Sequence, residues 1–484
     1  MKLPEAFVTR MNKYFSDHTE LDPVAFFASF DEVNPRGIRI NRSKVQRDED
    51  VTILTDISGA CKPISWCRDG YYMQSDPCGK DPYYHAGVYY IQEPSAMLPA
   101  EVLGAKPGEK ILDICAAPGG KATRIGTDLR GEGLLVANEI SADRARALLR
   151  NIELFGINNA VITNESPNHL QERFPHYFDR ILIDAPCSGE GMFRRDKNAM
   201  RSWEKFGPRV CEAIQKEILV AAHHMLRPGG HLVYSTCTFG TSENEDMIDD
   251  FLLEHPEYQV VTHTFGEGIT PCSGKRFSGG MRIWPQNAAG DGHFCVHLVK
   301  GESQGVTVNP PPTGKVRRQN PQSLFSVRSA LDAYACFLKE FFVDDAYLEA
   351  LKIAQKQFIL QSDKIHLLPV PVDTFHGLKV IKMGAFPGEI NETPKGRIFI
   401  PSHAMALSLS KWMVQKDRIL TLSREDDRLL RYLRGETIQI SSEEKNSLVS
   451  GGYILICVNQ FPLGFGKVSD TMIKNQYPRA WRLQ

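Results

Sequence analysis

A doubly wound, mostly parallel α/β sheet is the fold predicted for residues from about 108 to 300. Two observations predict it: five short apolar runs bounded by turn residues, and amphipathic helical stretches between them. A third is the glycine pair Gly119-Gly120 at the first strand-to-helix turn. In such sheets ligands bind at the carboxyl ends of the strands, beside a topological switch point.

In chain order, helical patterns come first, at 4–16 and 23–30. Residues 37–41 then read as a strand with polar alternates, and the pairs Tyr71/Tyr72, Tyr83/Tyr84 and Tyr89/Tyr90 as strand positions with one ring in and one out. The five apolar runs fall at 111–115, 134–137, 160–163, 180–183 and 231–235. Between them, 142–155 carries Ala145, Leu148, Leu149 and Ile152 on one face. A helix at 210–226 spaces Val210, Ile214, Ile218 and Met225 and stops before Arg227-Pro228-Gly229-Gly230. A further helix is expected from Ser242, with Glu245 completing a capping box. Segments 258–262 and 294–299 suit a closing hairpin. Residues 301–323, with Pro310-Pro311-Pro312, read as a linker, and 324–395 and 396–484 as two small α+β units, the last including a strand at 453–458. The expected division is therefore 1–95, an α+β extension; 96–300, the α/β domain; 301–323, the linker; then 324–395 and 396–484.

Composition narrows the class. A chain of 484 residues exceeds one ordinary core. With 42% hydrophobic and 24% charged residues it has the make-up of a soluble globular protein. No run of eighteen apolar residues suits a transmembrane helix. Lys2, Glu5, Arg10 and Lys13 interrupt the start where a signal peptide would be apolar, so a cytoplasmic location and no membrane partner are expected. A net charge of −1 excludes a protein basic all over but not a local basic face. Residues 301–484 carry about +6 and the remainder about −7, which favours the C-terminal part for phosphate contact. Eleven widely spaced cysteines, none in a C-x-x-C pair, suit neither a disulfide framework nor a zinc site, and no metal is expected.

The segment Asp113-Ile-Cys-Ala-Ala-Pro-Gly-Gly-Lys121 joins the first strand to a helix. Gly119 and Gly120 let the backbone turn sharply and approach a ligand. Glu139 ends the next strand, where an acid accepts hydrogen bonds from both ribose hydroxyls. Ala116-Ala117-Pro118 offers few backbone donors to a phosphate. A nucleoside without phosphates fits better, and S-adenosyl-L-methionine is such a ligand.

Asp184-Ala-Pro-Cys-Ser-Gly-Glu-Gly191 ends the fourth strand, and Ser235-Thr-Cys-Thr238 the fifth. A lone cysteine is usually a small buried apolar side chain. Two on the same edge, with Asp184 beside them, suit covalent chemistry on a base. Carbon 5 of cytosine is a poor nucleophile. A thiolate adding to carbon 6 makes an enamine that attacks a methyl sulfonium, after which a base removes the carbon-5 proton and the thiol is eliminated. Asp184 is the candidate to donate a proton or a hydrogen bond at ring nitrogen 3.

Cys115–Lys121, Asp184–Gly191 and Ser235–Thr238 in combination resemble the bacterial RsmB/RsmF (Sun-type) family of RNA cytosine-5 methyltransferases, and the whole-chain layout is most similar to its RsmF branch. Pro35-Arg-Gly-Ile-Arg-Ile-Asn41, Leu463-Gly-Phe-Gly-Lys467 and Tyr477-Pro-Arg-Ala-Trp-Arg482 look like that family's N-terminal and PUA-like terminal segments. The resemblance implies a Rossmann-like class I methyltransferase domain between RNA-binding ends. It implies Cys237 as nucleophile and Cys187 as the group that helps release product. Cofactor contacts would fall on Cys115, Ala116, Ala117, Pro118, Gly119, Gly120, Lys121, Glu139 and Asp184. Where the family has an aspartate after the third strand, this chain has Asn164-Glu-Ser-Pro167; Ser166 falls nearest and Asn164 is the substitute. The implied partner is 16S ribosomal RNA within the small subunit, met by a monomer. Phosphate or base contacts are expected from Arg194, Arg195 and Lys197, from Lys315, Arg317 and Arg318, and from Lys474, Tyr477, Arg479, Trp481 and Arg482. A DNA methyltransferase, a transfer-RNA methyltransferase and an inactive ribosome-assembly factor remain alternatives.

Overall fold

The computed structural model describes residues 1–33, 36–46, 49–58, 61–73, 79–302, 324–394 and 396–484. The linker residues 303–323, with Lys315, Arg317 and Arg318, and Pro35 of the N-terminal motif lie outside the described residues.

Helices α1 (Glu5–Asp17) and α2 (Pro23–Ser29) open the chain. Asp22 caps α2 by accepting from Val24 N and Ala25 N, with Pro23 in the first turn. An antiparallel sheet follows, in the order Lys62–Pro63, Gly70–Tyr72, Gly37–Ile40, Tyr89–Gln92. Tyr83 and Tyr84 depart from the expected strand: they form a short helix, Pro82–His85, because Asp81 caps it and Pro82 fixes its first turn.

The central sheet contains β1 (Lys110–Asp113), β2 (Leu134–Asn138), β3 (Ala160–Thr163), β4 (Phe178–Asp184) and β5 (Leu226–Thr236). These pair in parallel in the order β3-β2-β1-β4-β5, so the order reverses between β1 and β4. Helices α3 (Gly120–Asp128) and α4 (Ala142–Leu154) cover one face, burying Ile125, Leu148 and Ile152. Helices α5 (Pro167–Arg173), α6 (Lys197–Met225) and α7 (Glu245–Glu254) cover the other, burying Leu170, Ile218, Leu219 and Met247. The sheet is thus doubly wound. Its strands are buried on both faces, which explains their continuous apolar runs.

The edges hold more than the sequence revealed. Strands β6 (Tyr258–Val260), β7 (Ile269–Ser273), β8 (Ser278–Ile283) and β9 (His293–Lys300) extend the sheet beyond β5, all antiparallel. The predicted pairing of β6 with β9 forms, with β7 and β8 inserted in the chain between them. On the opposite edge β10 (Val380–Met383) pairs antiparallel with β3, so a strand from the C-terminal part completes this sheet. Helix α6 starts earlier than its apolar spacing indicated, because Asp196 caps a first segment that breaks at Gly207-Pro208. The capping box at Ser242 does not form: Thr241–Glu243 is a 3-10 turn, and Asn244 precedes α7 with no side-chain cap.

Beyond the linker, helices Leu324–Phe341 and Asp344–Gln357 accompany a four-stranded sheet, Phe358–Gln361, Lys364–Leu367, Ala385–Thr393 and Gly396–Pro401. A five-stranded sheet ends the chain, including Tyr453–Val458 and Phe461–Ser469. Two of the residues expected to stack on RNA belong to its packing. Tyr477 is buried against Tyr432 and His403, and Trp481 packs on His403 beneath Arg150. Lys474 and Arg479 stay exposed.

Aromatic and ionic contacts help to bind the N-terminal part to the central sheet. Phe7 and Phe26 pack with Phe193, Trp203, Phe239 and Trp284. Buried Arg124 on α3 pairs with Asp69, with Glu101 at 3.0 Å and with Asp128 at 2.9 Å. Removing one partner of a buried ionic group leaves uncompensated charge, at a cost of about 3–5 kcal/mol. Arg124→Met is therefore expected to lower the first thermal unfolding midpoint by several degrees; an unchanged midpoint would show that the network adds nothing to cohesion.

Candidate active site

The carboxyl ends of β1 and β4 meet at the reversal of strand order, bringing Asp113 and Asp184 to the same edge. Parallel pairing of β4 with β5 sets Asp184 opposite Ser235. Cys187 and Cys237 lie in the loops that leave these two strands, and their sulfurs are 3.4 Å apart. Both side chains are half-buried and free of disulfides.

Asp184 sits among three partners. Lys121 Nζ donates to its Oδ2 at 2.6 Å, Ser235 Oγ donates to Oδ1 at 3.0 Å, and His293 Nε2 lies 3.6 Å from Oδ1. Burial alone would raise its pKa, but Lys121 and then His293 outweigh burial and hold the carboxyl well below the usual range. Lys121 is correspondingly raised, its burial offset by Asp184. The resting Asp184 is thus an acceptor. The lysine 2.6 Å away favours the ionised carboxylate.

Asp113 is fully buried and, among the described residues, no side chain donates to its carboxylate oxygens. Burial, then the charge of Asp184, push it up to about 8. Such a buried pair of acceptors calls for a cationic donor. Glu139, at the end of β2, accepts from Ser141 N at 2.8 Å and faces Arg144 Nη1 at 3.3 Å, and Arg144 is itself largely exposed. Three acids and one lysine around this turn suit a ligand that carries positive charge and no phosphate. The residues present therefore fit the amino-acid and ribose parts of S-adenosyl-L-methionine.

The turn from Cys115 to Lys121 is held by its own packing. Ala116 N donates to Asn138 O at 2.8 Å, Ala117 O accepts from Arg144 Nη2 at 2.7 Å, and Pro118 O accepts from Asn151 Nδ2 at 2.8 Å. Burial raises the Cys115 thiol, so it is neutral. Gly119 has φ 114° and caps α3. A Cβ at Gly119 would lie 3.2 Å from Leu148 Cδ1, and one at Gly120 2.9 Å from Gln92 Nε2. Both glycines are thus needed for close packing against α4 and the N-terminal sheet. The positive φ of Gly119 is the sharp turn expected from sequence. Ser166 accepts from His169 N at 3.3 Å as the cap of α5. Asn164 donates to Glu139 O at 2.7 Å and Ile140 O at 2.8 Å and accepts from Lys379 Nζ at 2.6 Å, which commits it to bracing the Glu139 turn.

The cysteine loops are tied together from beneath. Gly191 N donates to Cys237 O at 2.9 Å. Buried Glu190 accepts from Phe239 N at 2.9 Å and from Trp203 Nε1 at 2.8 Å, and pairs with Arg10 of α1. Glu243 accepts from Ser188 N at 2.9 Å and from Gln215 Nε2 at 3.0 Å, and Gln215 also donates to Pro186 O at 3.0 Å. The bond to Cys237 and burial raise the Cys187 thiol well above its ordinary value, so it stays protonated; either sulfur can be the donor between the two. Arg194 and Arg195, expected to hold phosphate here, both pair with buried Asp291, Arg194 Nε at 2.7 Å.

Sequence reasoning missed Arg39, Glu190, His293 and the state of Asp113. Fully buried Arg39 donates to Gly120 O and Gln92 Oε1, both at 2.6 Å, and to Thr123 Oγ1 at 2.7 Å, so the N-terminal sheet buttresses the start of α3. Folding also gathers a group that spacing did not show: His223, His255 and Glu257 place ligand atoms within 4.8 Å of one another. They lie where α6 enters β5, at the opposite edge of the sheet from the cysteines.

Four family models match the chain in succession. These are the N-terminal domain of 16S rRNA methyltransferase RsmF over residues 3–94, 16S rRNA methyltransferase RsmB/F over 100–299, the RsmF first C-terminal domain over 337–409 and the RsmF PUA domain over 420–483. A ribosomal RNA small subunit methyltransferase F from Cronobacter sakazakii is 30% identical over 489 residues, covering 99% of this chain and 96% of its own. The protein of that name from Erwinia tasmaniensis is 28% identical over 491 residues, covering 98% and 96%. Among solved structures, a methyltransferase homolog from Pyrococcus horikoshii aligns with a TM-score of 0.50 at 28% identity, over 57% of this chain and 90% of that one.

The buried acid gives a pH test. Asp113, pushed up to about 8 by burial, holds its proton in the fold well above the pH near 3.8 at which an unfolded aspartate releases it. Between those values the folded state binds more protons, so this residue's contribution to stability falls as pH rises. Asp113→Asn removes that slope. Unfolding midpoints measured without cofactor from pH 5 to 8 should show the variant gaining on the parent as pH rises; a pH-independent difference would contradict a protonated Asp113.

Proposed function

Because the chain belongs to the RsmB/F family of 16S rRNA methyltransferases, in its RsmF branch, we propose that it transfers a methyl group from S-adenosyl-L-methionine to carbon 5 of a cytosine in 16S ribosomal RNA, with Cys237 as covalent nucleophile. The observation that carries this reading is the meeting of Cys187 and Cys237 at 3.4 Å on the edge that also holds Asp184 and Lys121.

The cofactor, when bound, supplies an electrophilic methyl group. Asp113, Glu139 and the turn from Cys115 to Lys121 would hold it, with Asp184 and Ser166 at its margins. Cys237 Sγ adds to carbon 6 of the base, making carbon 5 nucleophilic. Ionised Asp184 accepts a hydrogen bond from the exocyclic amine and so orients the ring. Lys121, held beside it, offers the positive charge that the electron-rich adduct needs. Once a base has taken the carbon-5 proton, Cys237 leaves as a thiolate, and the Cys187 thiol donates a hydrogen bond to the departing sulfur. That role follows from its raised pKa. Residues 96–300 are assigned to this chemistry, and 1–95, 324–395 and 396–484 to engaging the small-subunit RNA, with 301–323 as linker. No described helix is long and apolar enough to cross a membrane, and a cytoplasmic monomer belongs with this reading.

Two outcomes are expected. Glu139→Ala should weaken S-adenosyl-L-methionine binding in calorimetry by roughly tenfold or more, the scale of a lost charge-assisted hydrogen bond; unaltered affinity would remove Glu139 from the cofactor site. Bisulfite mapping of small-subunit RNA should show a 5-methylcytosine that vanishes without this gene, returns with the parent chain and stays absent with Cys237→Ala. If every methylated position survived the deletion, the ribosomal assignment would fall.

A further inference from the structure

Arg194 and Arg195, two of the three cations expected to meet RNA at the mouth of the site, are both drawn to the buried Asp291. A substrate backbone near the cysteines therefore needs cations elsewhere. The first segment of α6 begins directly after that loop, at the Asp196 cap. Lys197, Arg201 and Lys205 follow at intervals of four residues, one per turn and on one face, with about 6 Å of rise between successive residues. All three are exposed, as is Arg209 just past the break at Gly207-Pro208. None of these four makes an ion pair with a described residue. At the break itself Phe206 is 55% exposed, with Lys205 Nζ 4.9 Å from its ring centre. The acid in this stretch, Glu204, is one against four.

The geometry points to this segment as a binding rail for single-stranded RNA that leaves the active site. Lys197, Arg201, Lys205 and Arg209 contact successive phosphates, and Phe206 stacks on an unpaired base. A solvated charged face does not account for a large aromatic ring held out among cations. Base stacking between basic side chains is the recurring arrangement for single strands. Two anchors keep the rail in register with the cysteines. Trp203, on the buried side of the same segment, donates to Glu190 at 2.8 Å, and Gln215 further along α6 donates to Pro186 O at 3.0 Å. The inference rests on the RNA-methylation reading and extends it by naming where the strand lies.

The test uses the full chain with Arg201→Ala/Lys205→Ala/Arg209→Ala and, separately, Phe206→Ala. Affinity for a fluorescein-labelled single-stranded RNA is measured against salt, alongside KM and kcat on small-subunit particles. Calorimetric cofactor binding checks that each variant is folded. The triple variant should bind RNA at least tenfold more weakly and lower the slope of log affinity against log salt by about 2, since each single-strand phosphate contact contributes about 0.7. Phe206→Ala should weaken binding roughly tenfold with the slope unchanged. KM should rise and kcat hold. Unchanged affinity and slope in both variants would overturn the rail even if the parent methylates RNA. Loss of affinity in variants of a parent that methylates no RNA would leave the rail standing and sink the methylation reading. A parent with no affinity for RNA would sink both.

Discussion

The parallel pairing of β4 with β5, with Asp184 opposite Ser235, is the constraint on which the site depends. Register in a parallel pair fixes where each strand stops, and each stop launches a loop carrying one cysteine. A slip of one residue would turn each side chain of the strand to the other face and separate the sulfurs. The surrounding structure secures that register. β9 pairs antiparallel along β5 and carries His293 to the edge, facing Asp184. Beneath the loops, Glu190 and Glu243 each bridge the segment after Cys187 to the segment after Cys237. The N-terminal helices close the arrangement, because Arg10 pairs with Glu190, and Phe7 and Phe26 pack on Phe193 and Phe239.

Electrostatics then divides the labour. Three acids lie near the carboxyl ends of β1, β2 and β4, yet they differ in state because their neighbours differ. Lys121 reaches Asp184 and leaves Asp113 without a side-chain donor, so one acid is ionised and the other is pushed toward neutrality. Environments that separate the pKa values of like groups separate their roles. An ionised acceptor beside a lysine suits orientation of a base, and a buried acid lacking a side-chain donor suits the ammonium end of an amino acid. Among the sulfurs, the Cys187 thiol is raised by its bond to Cys237 and by burial, which keeps its proton on.

The parts legible in the sequence were those built from neighbours along the chain. The five parallel strands came from apolar runs, and the cysteine loops from the residues around Asp184 and Ser235. What escaped depends on partners far apart in sequence. Arg39 braces a turn at Gly120, Glu190 joins residue 10 to residue 239, and His293 faces Asp184 from a strand pairing that periodicity did not expose. β10 escaped for the same reason: a short strand after the linker gives no sign that it will pair with β3. At the C-terminus composition could not separate stacking platforms from core: Tyr477 is buried against Tyr432 and His403, and half-buried Trp481 packs on His403. The pairing of Arg194 and Arg195 was hidden too, since the buried Asp291 they share arrives from almost a hundred residues away.

In the proposed reaction Cys237 forms the bond to the base and Cys187 helps to break it. The most direct measurement incubates Cys187→Ala with small-subunit RNA and S-adenosyl-L-methionine and resolves the products on a denaturing gel. A cofactor-dependent protein–RNA species should accumulate in Cys187→Ala and be absent from the Cys187→Ala/Cys237→Ala double variant. A covalent species that persists without Cys237 would contradict the proposed reaction, as would full turnover by Cys187→Ala with no trapped species.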